Sequence, residues 1–266
     1  MAGKINKLMS ELKFYLLLQS YAWKIQFIYR ADFIMYAFTS AIYIIITLVF
    51  VGVIYTVTFS VAGWSYFQLL LLIAIAGLGI NISDYLIDSG FVFDVLWNGG
   101  FDNYLTKPHN PLLYVIGEST DTAAIGDIAG YLILFVYAAM NTQFSAPALL
   151  AFLILFILGV AVLSMLQVLF LAISYKFINK AGWVGLIIDL AENFSRYPLT
   201  LYGIIGVVLF TIVVPLGIAT FYPAGIIVGK LSLAGYLVVI AIGVILAFMF
   251  YKLSKYLLRS YTSAMG

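Results

Sequence analysis

The sequence has no cysteine and a single histidine, His109. Disulfides, thiolate metal sites and cysteine nucleophiles are thereby excluded, and no histidine-based metal site can be assembled from this chain. Charge is scarce as well. Asp, Glu, Lys and Arg make up 9% of the 266 residues, far below the rough quarter that a soluble surface draws on. The formal net charge of +2, from 13 basic and 11 acidic residues, gives no reason to expect nucleic-acid binding. Prolines number only 6, so each is informative as a helix breaker. What the chain does have is apolar sequence, 65% of the total. This is the composition of a membrane protein, read as one transmembrane domain over 1–266.

The amino terminus does not read as a secretory signal, because Lys4 and Lys7 are followed by a long mixed stretch and not by a short apolar core with a cleavage site. Over 9–30, Lys13, Ser20 and Lys24 share one helical face and are interleaved with Leu12, Phe14, Leu16, Leu17, Trp23 and Ile25. Such a segment suits the headgroup layer, and 1–32 is expected to form an interfacial elbow helix. Six apolar runs follow at 33–57, 67–86, 123–140, 148–173, 201–221 and 233–253. A spanning helix needs about 20 apolar residues, so these predict an all-α fold of six transmembrane helices. On alternate sides of those runs, twelve Lys and Arg residues fall on one face and only Lys230 on the other. The positive-inside rule then places both termini and the connections 88–118 and 176–200 in the cytoplasm. The outer connections 58–66 and 141–147 are short and uncharged, which leaves no room for an external receptor domain.

The inner connections hold the unusual material. Residues 91–96 form a short apolar stretch bearing Asp94, followed by Trp97 and the breaker Gly99-Gly100, and predict a helix lying on the membrane. Then come Leu105, Thr106, Lys107, Pro108, His109, Asn110 and Pro111, whose prolines stop any helix from running through. On composition alone this is either a plain loop or a rigid docking knuckle. Residues 183–196 place Trp183, Leu186, Ile187, Leu190 and Phe194 on one helical face and Asp189, Glu192 and Arg196 on the other, predicting an amphipathic interfacial helix that ends before Pro198. Pro215 and Tyr222-Pro223 interrupt the apolar sequence beyond the fifth run, and a short re-entrant outer helix is expected over 222–228.

These segments resemble the inner-membrane permeases of type-two ABC exporters, in the branch carrying Leu-Thr-Lys-Pro-x-Asn-Pro-Leu, here 105–112, and Phe-x-Arg-Tyr-Pro-Leu, here 194–199. The stretch Pro-Leu-Gly-Ile-Ala-Thr-Phe-Tyr-Pro-Ala at 215–224 extends the likeness over most of the chain beyond the first span. His109 stands where that branch is expected to carry an apolar residue. The resemblance implies half of an ATP-driven exporter: a permease without catalysis of its own, paired with a second permease chain, the same or related, and docked to a separate ABC ATPase that holds ATP and Mg. It implies ATPase contacts at Asp94, Trp97, Leu105, Thr106, Lys107, Pro108, His109, Asn110, Pro111 and Arg196. The multi-pass location implied is the inner membrane of a prokaryote. A phosphate-binding loop is absent, since Gly3-Lys4 and Gly229-Lys230 both lack the required pattern.

Polar residues inside the spans are the remaining candidates. Asn81, Asp84 and Asp88 share one face of the second span and suggest a cation or proton relay, an acidic vestibule, or plain carboxylates paired with inner Lys or Arg. Asp127 lies deepest in the third span, between Gly126 and Gly130, whose spacing permits close helix packing, and is expected to cap or pair locally. His109 reads as a surface residue. An ion-coupled or channel-like transporter working without an ATPase is the alternative function, and it needs Asp84, Asp88 or Asp127 to titrate in the membrane. An intramembrane enzyme acting on lipids would need a convergent constellation that the sequence does not display.

Overall fold

A computed structural model describes residues 2–28, 30–98, 100–109, 111–122, 124–177 and 190–258 of the protein. The described residues form helices joined by short turns. The first two are α1 (Ala2–Ile28) and α2 (Arg30–Val57), followed by a turn in which Val61 and Trp64 exchange backbone hydrogen bonds of 3.1 and 2.9 Å. Ala62 and Gly63 take positive φ to close that turn, and the Tyr55 hydroxyl donates to Trp64 O at 2.6 Å. Helix α3 (Tyr66–Leu86) begins at Ser65, whose N–H donates to the Gln68 side chain at 3.2 Å.

The connection between α3 and the next long helix is three short helices: α4 (Ser89–Trp97), α5 (Phe101–Leu105) and α6 (Pro111–Glu118). Helix α7 (Ala124–Met140) and helix α8 (Ala146–Phe177) follow. A further helical segment, α9, occupies 190–195. The last part runs through a 3₁₀ turn (Leu199–Tyr202), α10 (Gly203–Val208), a π turn (Leu209–Val213), a second 3₁₀ turn (Leu216–Ile218), α11 (Phe221–Ile227) and α12 (Leu233–Leu258).

Helix α3 is apolar on every side, and all its residues from Leu69 to Ile80 are buried. It lies at the centre, with Tyr131, Leu134 and Ala138 of α7, Phe152 of α8 and Ala224 and Ile227 of α11 in its core cluster. Gly77 makes this packing possible, because the Tyr131 ring occupies the place where a Cβ would stand, 2.3 Å away. Helices α8 and α12 form a second core through Leu155, Val162, Leu166, Val239, Leu246 and Phe250.

Among the described residues, four helices are long and apolar enough to cross a bilayer: Ile34–Val57, Tyr66–Val92, Ala146–Phe170 and Leu233–Leu257. Helix α7 has 17 residues, about 25 Å at the helical rise, and so falls short of a hydrocarbon core about 30 Å thick. The fifth run, 201–221, is broken at Pro215, where an interruption was expected: Leu199–Val213 and Leu216–Ile227 meet at a bend of 86°. Pro215 is the cause, since it lacks an N–H and its ring blocks continuation of the helix. Beyond the bend, Ala219 inserts between α3 and α8, where a Cβ on Gly159 would lie 2.4 Å from Ala219 Cα. Helix α11 overlaps the range 222–228 in which a short helix was expected, displaced by one residue.

Of the amphipathic segment expected over 183–196, Trp183, Leu186, Ile187 and Asp189 lie outside the described residues. In α9, Ala191 and Ser195 pack inward, while Leu190 and Phe194 stay exposed and available to lipid.

Candidate functional site

The connection between α3 and α7 is a braced unit. Asp88, at the corner between α3 and α4, accepts from Gly90 N and Phe91 N at 2.8 and 3.2 Å, an N-cap that fixes where α4 begins. The same residue's N–H donates to Ser119 O at 2.9 Å, tying the end of α3 to the end of α6. Pro111 supplies the first residue of α6, where its missing N–H costs nothing. Tyr104 is buried beneath this unit and donates to Glu118 Oε2 at 2.5 Å. Burial first, then the hydrogen bond and the negative charge of Glu118, hold its phenol well above the usual tyrosine range. Lys107 Nζ sits over the rings of Tyr104 and Tyr114, at 4.8 and 4.6 Å, and 4.0 Å from Glu118. Asp94, Leu105, Thr106, Lys107 and Pro108 are exposed. Trp97 closes α4, and Asn110 lies outside the described residues.

Helix α1 supports this connection from the side. The His109 ring stacks on Phe14, with centroids 4.3 Å apart and planes within 6°, and its Nδ1 lies 3.4 Å from Glu11 Oε2. The reading of His109 as a surface residue is therefore corrected: its side chain is 26% exposed and is held between two residues of α1. Further along, Gln19 Nε2 donates to Thr120 Oγ1 at 2.6 Å and Gln19 Oε1 accepts from the Tyr85 hydroxyl at 3.3 Å. Of the apolar residues interleaved along α1, Leu12, Leu16, Leu17 and Ile25 are exposed. Their pattern carried no signal for the polar contacts on the other side.

The second-span candidates separate. Asn81 Nδ2 donates to Gly77 O within its own helix at 2.8 Å. Asp84 accepts from Gln167 Nε2 of α8 at 2.6 Å, while Gln167 Oε1 accepts from Ser83 Oγ at 3.0 Å and Ser83 Oγ lies 3.2 Å from Ser164 Oγ. Neither Asp84 nor Asp88 makes an ion pair with Lys or Arg among the described residues. A cavity of about 20 Å³ beside Asp84 is lined by Ser83, Gln167, Leu163, Glu192 and Leu216, room for roughly one water molecule. Gln167 is the residue that sequence reasoning missed, although an amide in the middle of an apolar run was the available signal.

Asp127 accepts a hydrogen bond from Ser40 of α2, so its partner lies on a neighbouring helix and not in its own turn. Gly126 allows that approach, since a Cβ there would lie 3.1 Å from Ala37 Cα. One turn further along the same faces, Tyr43 of α2 and Tyr131 of α7 both accept from Arg196 Nη1, the latter at 2.8 Å. Arg196 Cζ stands 5.2 and 5.7 Å from the two ring centroids. Tyr43 is nine residues beyond Ile34, where its apolar span begins, about 14 Å at the helical rise. Arg196 therefore points into the bundle between α2 and α7, away from the exposed tip of the α4–α6 connection.

Comparison with curated proteins and with solved structures returns no significant match. The family comparison does: residues 41–265 match the model of the ABC-2 family transporter protein, and this chain, a helical multi-pass membrane permease, belongs to that family.

Proposed function

We propose that this permease is the transmembrane half of an ATP-driven exporter, pairing with a second permease chain and docking a separate ATPase through its inner connections. ATP and Mg belong to that partner, and the chain itself is non-catalytic. The observation that carries the reading is the braced unit α4–α6. It exposes Asp94, Leu105, Thr106, Lys107 and Pro108 and is joined by the Asp88 to Ser119 backbone bond to α3, the most buried helix of the bundle. A push on the exposed side is thus delivered to the core, as coupling of ATPase closure to alternating access requires. His109, Asn110, Pro111 and Trp97 complete the proposed docking set, His109 by holding the knuckle against α1. The proposed topology is six spans, with the bent pair as the fifth and α7 as the third. Both termini and the connections 88–118 and 176–200 would face the cytoplasm of a prokaryote.

The first test is a mild-detergent pull-down from native membranes, with mass spectrometry of the eluate and an ATPase assay. Recovery of an ATPase subunit with a phosphate-binding loop is expected. Recovery of the chain alone, with complex stability controlled, would instead favour an ion-coupled transporter using Asp84, Asp88 or Asp127. The coupling claim has its own test: Pro108→Ala with Pro111→Ala should lower transport-coupled ATP hydrolysis while the bundle stays folded. Unchanged coupling would remove the knuckle from the mechanism.

A further inference from the structure

The cluster around Arg196 contains donors in excess. Guanidinium carries five N–H donors and no acceptor. Among the described residues only Nη1 is engaged, by the hydroxyls of Tyr43 and Tyr131, and Nε is buried with no hydrogen-bond partner. Both phenols accept from the arginine and so keep their own O–H protons free to donate elsewhere. No carboxylate approaches Arg196 within ion-pair distance among the described residues. Asp127, one turn back on α7, is engaged by Ser40. Three sets of donors thus converge with one positive charge, between two helices and inside the apolar zone, and among the described residues no acceptor that carries negative charge answers them.

We propose that Arg196, Tyr43 and Tyr131 form a binding site for the anionic headgroup of an amphiphile, a phosphate or carboxylate on an apolar body. The apolar body has a place to lie: Ile46 and Phe50, along α2 from Tyr43, are exposed, as are Leu201, Ile204 and Ile205 beyond Arg196. A cationic or uncharged cargo would leave the donors unanswered and gains nothing here. The ligand can be a resident lipid or the transported species, since either presents the same headgroup. The site does not depend on the exporter reading, because binding needs neither ATP nor an ATPase.

The test uses the full chain in nanodiscs of phosphatidylcholine containing a titrated fraction of phosphatidylglycerol, with bound lipid identified by native mass spectrometry. Wild type should retain phosphatidylglycerol preferentially. Arg196→Gln should weaken that retention on the order of tenfold, while Arg196→Lys keeps part of it. Tyr43→Phe keeps the arginine and serves as the second variant should Arg196→Gln fail to fold; it should lower retention severalfold without changing the helical circular dichroism. Equal retention of phosphatidylglycerol by wild type and a folded Arg196→Gln or Tyr43→Phe variant overturns the proposal. A bound lipid that exchanges only when the ATPase partner turns over ATP marks transported cargo; one that stays through turnover marks a resident lipid.

Discussion

Gln167 joins α8 to α3 with both ends of its amide, donating to Asp84 and accepting from Ser83. Gln167→Leu takes the amide donor from Asp84 and leaves Ser83 with Ser164 alone, and should destabilise the protein by about 1–3 kcal/mol, read as a lower thermal midpoint in detergent. Asp84→Asn keeps an acceptor for Gln167 and should leave transport largely unaltered; complete loss of transport would instead support an ion relay. Gly77→Ala is expected to act at a distance, because the new methyl takes the space of the Tyr131 ring and shifts one of the two hydroxyls that hold Arg196. That variant should weaken anionic-lipid retention although residue 77 touches no ligand. Residue type alone gave a poor guide here. A lone histidine read as a surface residue and an arginine near a proline as part of the polar face of an amphipathic segment, and only tertiary contacts with Phe14 and with Tyr43 and Tyr131 turn them inward.

The elements were more legible, because hydropathy over about 20 residues reports burial in lipid whatever the tertiary contacts. The second run, read over 67–86, forms α3 (Tyr66–Leu86), and the sixth, read over 233–253, begins where α12 does and ends a turn or so short of it. The fifth run holds the break that Pro215 signalled, and what composition did not give is its angle of 86°. Gly159→Ala tests that bend. Its methyl meets the backbone of Ile218 and Ala219 at 2.4 to 2.7 Å, a clash that no rotamer relieves, and a cost of about 1–3 kcal/mol is expected as a lower unfolding midpoint. The unit α5–α6 carries a pH prediction. Tyr104 stays protonated in the folded protein above its ordinary value of 10.0, so at higher pH the unfolded chain loses a proton that the folded one keeps. Stability from this group is complete below about pH 10 and falls as pH rises further. Hydrogen exchange in α5 and α6 should accelerate over that range, and Tyr104→Phe should flatten the dependence.

At the scale of the whole molecule, burial is unevenly shared: 72% of the apolar window of α3 lies inside the protein, against 28% for α12 and 11% for α2. The outer helices therefore meet lipid or another chain, and the proposed second permease has ample surface to meet. Lys230 offers a check on orientation. It donates to Gly63 O at 2.7 Å and stands 5.6 Å from the Trp64 ring, at the end of the bundle opposite α4–α6. A membrane-impermeant amine reagent applied from outside should label Lys230 and spare Lys107; labelling of Lys107 from outside would invert the topology.

The tie between Asp88 N–H and Ser119 O has a genetic consequence. Because it is made by main-chain atoms, a conventional alanine scan does not touch it: Asp88→Ala would report the lost N-cap of α4 and Ser119→Ala a lost hydroxyl, while the joint itself persisted. Only removing the amide itself, with proline or an ester linkage at position 88, would unhook the inner connection from α3, and a residue-by-residue survey of this transporter would otherwise leave one of its principal joints off the map.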